Sequence, residues 1–231
     1  MAKWTKGQMS DSVLMGILLA LTGGFLDAYT YVARGGVFAN AQTGNIVLLG
    51  MNLADGRWSA ALSYVIPILA FGGGVLVAEA IRWRHQHRRS IHWRQIILLI
   101  EAALLVVVAF LPVGLNWPAT CLVSFVCALQ VESFRKIKGN TLATTMCTGN
   151  LRTATELLVN SFHHDKKELR RSSAAYYVII LVFLTGAALG NALTRRYGQY
   201  AVLIGAGLLI FGFFIMFLRE EQAERKNIAG R

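Results

Sequence analysis

Long apolar runs dominate this sequence, and their lengths restrict what it can fold into. Six stretches, at 13–33, 58–81, 95–113, 116–134, 172–193 and 199–218, hold four acids and no Lys or Arg. A helix of roughly 20 apolar residues matches the ~30 Å hydrocarbon core of a bilayer. Six such spans use about half of the 231 residues and leave too little for a separate globular domain. The expected class is an all-α polytopic membrane protein, a single membrane domain over 1–231 with the lipid bilayer as its first partner. A water-soluble enzyme, a nucleic-acid-binding domain and a disulfide scaffold are excluded.

The net charge of +11 has the same source. With the N-terminus placed in the cytoplasm, all of the 23 Lys and Arg fall in inner segments except Arg34, Arg57, Arg195 and Arg196. This asymmetry is the positive-inside rule at work, so the basic balance calls for no nucleic acid. Both termini are then cytoplasmic, including a tail over 219–231. The first span, Val13 to Ala33, is longer than a signal-peptide core, and no small-x-small site precedes Arg34, so it is expected to stay as a span. Cys121, Cys127 and Cys147 are odd in number, which argues against disulfides or a zinc cluster. Trp4, Trp58, Trp83, Trp93 and Trp117 sit near span ends, as in an interfacial belt.

An internal repeat organises the spans. Thr43-Gly44-Asn45 recurs as Thr148-Gly149-Asn150, 105 residues later. At the same offset Asp27 meets Glu132, Tyr29 meets Phe134, Val32 meets Ile137 and Val37 meets Leu142. An insertion of eight residues near His163 to Arg170 then aligns Gly73 with Gly186 and Arg82 with Arg195. The repeats cover 9–114 and 115–218, each with three spans. Three is odd, so the second copy enters the bilayer from the opposite side, giving two inverted 3+3 repeats. An eight-span parallel arrangement would put the arginines between 82 and 94 outside, against the charge rule.

The Thr-Gly-Asn segments need a place of their own. Val37-Phe38 and Ile46-Val47-Leu48-Leu49 are too apolar for a solvated loop, whereas Asn40, Gln42 and Asn45 are too polar for lipid. A re-entrant or short helical segment in each half, turning near Gly44 and Gly149, satisfies both. The second copy, with Thr141, Thr144, Thr145, Arg152, Thr153, Thr155 and Glu156, is expected to enter less deeply. Two helix N-termini would meet near the midplane and favour an anion or a polar solute. Asn40, Gln42, Thr43, Gly44, Asn45, Thr148, Gly149 and Asn150 are the candidate substrate-binding set. The competing reading makes these segments packing turns, with Gly permitting close contact and the polar side chains satisfying backbone groups.

The four intramembrane acids differ in their local partners. A charge at the bilayer centre costs about 2.5–3.5 kcal/mol on insertion scales, so each needs a partner or a polar cavity. Glu79 has Arg82 at i+3, and Glu132 has Arg135 and Lys136 within one turn, as structural ion pairs would. Asp27 and Glu101 have no basic helical neighbour and must face the protein interior or be protonated. Asp27, Glu101 and, as the repeat partner of Asp27, Glu132 are the candidates for proton coupling. The histidines His85, His87, His92, His163 and His164 read as part of solvated basic segments, so no metal or cofactor is expected. Gly72-Gly73-Gly74, Gly186 and Gly190 read as helix-packing positions, and Pro67 as a kink. No nucleophile–base pair is recognisable, which argues against an enzyme.

The run Gly23-Gly24-Phe25-Leu26-Asp27-Ala28-Tyr29-Thr30-Tyr31 followed by Gly35-Gly36-Val37-Phe38-Ala39-Asn40-Ala41-Gln42-Thr43-Gly44-Asn45 resembles the hallmark of the YoaK-like family. Gln130, Glu132 and Thr148-Gly149-Asn150 also resemble that family, over nearly the whole chain. The resemblance implies a multi-pass protein of the bacterial inner membrane and says little about chemistry. Two functions follow from the residues themselves: a permease or channel for a small polar or anionic solute, with proton coupling, or a non-transporting membrane scaffold or partner subunit. A homo-oligomer is compatible with either.

Overall fold

A computed structural model describes residues 13–85, 93–134, 136–137, 140–141, 144–163 and 166–229. Among these residues there are eight α-helices: α1 Val13–Ala33, α2 Gln42–Ala54, α3 Trp58–His85, α4 Trp93–Phe110, α5 Asn116–Ser133, α6 Cys147–His163, α7 Lys167–Tyr197 and α8 Val202–Ala229. A 3₁₀ turn at Gly198–Ala201 joins α7 to α8, and a two-residue antiparallel pair, Lys136–Ile137 with Asn140–Thr141, lies between α5 and α6. Turn residues set the boundaries. Both α2 and α7 stop at a glycine of positive φ, Gly56 at 70° and Gly198 at 56°, a conformation that L side chains rarely adopt.

By length and composition, four helical segments among the described residues suffice to cross a membrane: Val13–Ala33, Trp58–Arg84, Trp93–Phe110 and Lys167–Phe217. The last contains both α7 and α8. The stretch expected to span at 116–134 does form α5 but is not among the four. Thr120, Ser124, Gln130 and Glu132 lower its apolarity, and all are buried inside the protein, as are most of its residues. In contrast α2, with 13 residues, is about 20 Å long and cannot cross the ~30 Å core. Its Ile46 and Val47 point away from the protein, 56% and 55% exposed.

The helices pack in a definite set of pairs: α1 on α7, α3 on α5, α2 on α3, α6 on α7, α4 on α8, α4 on α5 and α1 on α8. Small residues make two of these approaches close. A Cβ at Gly24 would collide with the Phe183 carbonyl oxygen, one at Gly186 with that of Leu21, and one at Gly190 would come within 2.6 Å of that of Phe25. Gly74 meets the Phe125 carbonyl and Ala128 in the same way across α3 and α5. Gly72 and Gly73 face open space, so of that triplet only Gly74 is a packing position. Pro67 lies inside α3, which is continuous through it.

One end of the bundle is tied by a residue that the charge pattern assigns to a solvated outer segment. Arg34 is fully buried. Its Nε donates to the Tyr29 hydroxyl at 3.0 Å, its Nη2 to the carbonyls of Val108 at 2.9 Å and Leu111 at 3.1 Å, and its Nη1 to that of Pro112 at 3.2 Å. The Tyr29 hydroxyl donates onward to the Gln199 carbonyl at 3.1 Å. The guanidinium thus adds donors to the carbonyls at the C-terminal end of α4, where a helix favours positive charge. Residues 29–34, 108–112 and 199 therefore share one end of the molecule.

Trp58, Trp83 and Trp117 project outward at helix ends, while Trp93 is buried with the Arg94 guanidinium over its ring. Trp4, His87, His92, His164, Arg135 and the 230–231 end of the tail lie outside the described residues.

Candidate functional site

Two hairpins converge halfway along α1. Asn40 Nδ2, in the loop before α2, donates to the Gly23 carbonyl at 3.2 Å. The Thr145 methyl, in the loop before α6, presses directly on the same glycine. Gly23 stands at the centre of Val13–Ala33, so both loops reach the same depth. The second segment thus meets α1 at the same residue as the first, because Gly23 leaves room for the Thr145 side chain.

Asp27 lies one turn further along α1 and is 6% exposed. Its Oδ1 accepts the Asn40 backbone N–H at 2.6 Å, and the N–H groups of Ala39 and Ala41 are also directed at the carboxylate. The first residues of α2 have no side-chain cap of their own, Ala41 standing at the N-cap. Asp27 instead holds the turn that leads into the helix, taking the N–H of Ala41 at the N-cap and of the two residues before it. Hydrogen bonds to a charged group contribute about 1.5–3 kcal/mol each, enough to offset most of the burial cost. The partner missing from the helical neighbours of Asp27 is thus backbone. The amides of 39–41 that lead into α2 are therefore already turned onto a carboxylate.

The rest of the first motif is held locally. Asn45 is fully buried, donating from Nδ2 to the Phe38 carbonyl at 2.8 Å and to Gln42 Oε1 at 2.9 Å, and accepting the Phe38 N–H at 3.0 Å. Gln42 Nε2 donates to the Ala39 carbonyl at 2.8 Å. A Cβ on Gly44 would meet the Phe38 ring at 3.0 Å. These contacts fix the turn that brings the 39–41 amides to Asp27. In the second motif Thr148 and Gly149 are exposed and Asn150 is buried.

A cavity of about 720 Å³ opens where these elements meet. Asp27, Tyr31, Asn40, Gln42 and Thr43 line it from the first half, and Thr145, Cys147, Thr148 and Gly149 from the second. Phe183, Ala187 and Asn191 form a stripe along α7, and Phe71 enters from α3. Tyr31 and Phe38 stack with centroids 4.9 Å apart to form an aromatic wall. Among the described residues no Lys, Arg or His lines the cavity. Arg195 donates to Asn191 Oδ1 at 3.0 Å without lining the cavity itself. Gly44, Asn45 and Asn150 stand behind the lining, as do Glu101 and Glu132.

The two other coupling candidates separate clearly. Glu101 on α4 is fully buried, and neither carboxyl oxygen has a hydrogen-bond partner among the described residues. Cys127 of α5 lies within electrostatic reach of both Asp27 and Glu101 and beside Asn40, so the three belong to one polar region. Glu132 is buried at the far end of α5; the expected partner Arg135 is outside the described residues. The Glu79–Arg82 ion pair forms at 3.2 Å. The three cysteines are free thiols.

Sequence reasoning missed several lining residues. Asn191 had a signal, being a lone amide in an otherwise apolar stretch. Phe183 and Thr145 had none, because only the crossing of α1 and α7 brings them to Gly23 and Asp27.

The family described as Protein of unknown function (DUF1275) matches residues 15–215. The UPF0700 transmembrane protein YoaK of Bacillus subtilis (strain 168) is 25% identical over 207 residues, covering 86% of this chain and 90% of that protein. No solved structure matches. The match spans every helix from α1 to α8, and with the apolar segments above it makes this chain a membrane protein belonging to the DUF1275 family.

Proposed function

We propose that this protein is a permease for a small polar solute, built as two inverted repeats in the bacterial inner membrane with both termini cytoplasmic. The observation that carries the reading is the cavity joining Asp27 to the first turns of both α2 and α6. A packing turn has no need to border a 720 Å³ space with its motif residues.

The helix pairings support the inverted repeat. Exchanging α1 with α5, α2 with α6, α3 with α7 and α4 with α8 maps the seven pairings named above onto themselves, while the lesser contact of α3 with α4 has no counterpart between α7 and α8 among the described residues. Under that exchange α1 on α7 becomes α5 on α3, and α4 on α8 returns to itself. The lengths of α2 and α6, and their starts level with Gly23, support two re-entrant arms meeting at the midplane, as in transporters with broken helices. Six spans then comprise α1, α3, α4, α5, α7 and α8.

In this reading Thr43, Thr148 and Gly149 contact the solute with Asn40 and Gln42, while Asn45, Gly44 and Asn150 shape the turns. Asp27 is the group exposed to the solute path, and Glu101, unpartnered and in the same polar region, is the second proton carrier. Glu132 serves as the counterpart of Asp27 in the other half. The protein carries out no chemistry on its solute and needs no cofactor or metal.

Uptake into proteoliposomes tests this: Asp27→Asn should abolish the pH dependence of flux. Unchanged uptake with an unchanged pH profile removes the coupling role. The scaffold reading draws on one observation, the use of Asp27 to hold the turn that leads into α2. It expects the same variant to melt earlier in detergent with no flux to lose.

A further inference from the structure

The lining of the cavity points to the class of ligand, and we infer that it takes a small organic cation, an ammonium group on an apolar or aromatic body. The inference rests on the proposed reading of the cavity as a solute site. Two features select the charge. Asp27 is the one ionisable carboxylate in the lining, and no cationic side chain lines the cavity among the described residues. The peptide N–H groups of the turn that precedes α2, which would otherwise be donors for an anion, are turned onto Asp27, the Asn40 N–H to its Oδ1.

The shape of the lining selects the rest. Tyr31, Phe38, Phe71 and Phe183 bring aromatic surface to the same space as the carboxylate. Aromatic faces attract cations through the ring quadrupole, more so where water is excluded, and accept an apolar body at no polar cost. A carboxylate beside such faces is a poor site for an anion and a good one for an alkylated ammonium. The amine can come from a free solute or from an ethanolamine or choline lipid headgroup, which share this chemistry.

Calorimetric titration of the full chain in neutral detergent with benzyltrimethylammonium, benzyl alcohol and benzoate tests the class. The cation should bind at least about tenfold more tightly than the alcohol, and benzoate should not bind, as a desolvated charge contact requires. Asp27→Asn should weaken the cation about 10- to 100-fold. Because Asp27 also holds the turn that leads into α2, Tyr31→Leu provides an independent arm: Tyr31 is 50% exposed, and its loss should weaken binding about threefold to tenfold without unfolding the protein. Preference for benzoate or benzyl alcohol, indifference to both substitutions, or no binding of any probe at millimolar concentration overturns the inference. Competition by ethanolamine lipid in nanodiscs, set against phosphatidylglycerol nanodiscs, separates the headgroup source from the free amine. Cation binding without uptake in proteoliposomes would remove the permease reading and leave the ligand class standing.

Discussion

Replacing Arg34 with Met keeps most of the side-chain length and removes the guanidinium that ties α1 to α4. Arg34 makes four hydrogen bonds, three of them to the carbonyls of Val108, Leu111 and Pro112. These acceptors lie at the end of α4, where the Val108 and Pro112 carbonyls also accept the N–H groups of Leu111 and Leu115, and an unmade hydrogen bond at the buried end costs about 1–3 kcal/mol. Against that loss stands the relief of desolvating one charge, several kcal/mol in a buried site. The net destabilisation should be about 1–3 kcal/mol, that of a buried acceptor left without its donor. For a chain of this size about 2–4 °C of Tm corresponds to 1 kcal/mol, so Tm in detergent should fall by about 2–12 °C. Tyr29→Phe removes the hydroxyl that relays Arg34 to the Gln199 carbonyl and should cost about 1 kcal/mol by itself. The double variant should then fall short of the sum, because both residues act in one network. A Tm loss under about 2 °C for Arg34→Met, or strict additivity with Tyr29→Phe, refutes the reasoning.

Three further outcomes are expected. Gly24→Ala drives a Cβ into the Phe183 carbonyl and should destabilise by about 1–3 kcal/mol despite the better helix propensity of Ala, whereas Gly73→Ala, facing open space, should be neutral or stabilising by up to about 1 kcal/mol; thermal melts of both variants check the pair. Cysteine labels at Trp83 and at its repeat counterpart Arg196, at the matching ends of α3 and α7, should react from opposite sides of right-side-out vesicles if the halves are inverted, and reaction of both from one side ends that topology. Cys147, which lines the cavity, should react with a small maleimide in the folded protein while Cys127, 1% exposed, stays protected; equal rates would mean that the cavity is closed to reagents.

Hydropathy and charge determine that the chain is a helical membrane protein, because apolar length and cation placement are local properties. The boundaries of α1 at Val13–Ala33 and the existence of short helices after Gln42 and Cys147 follow from the same local signals. So does the pairing of Glu79 with Arg82, since both sit on one helix. The pairing of Asp27 with the Asn40 amide does not follow, because it joins two elements whose approach depends on Gly23 and Gly24 accepting α7 and the Thr145 loop. Arg34 shows the same limit more sharply. A lone arginine after an apolar span reads as solvated, and only the arrival of the α4 C-terminus turns it into a buried clamp. Composition along a chain records what each segment can tolerate, whereas the partner that satisfies a buried polar atom is a property of how segments cross.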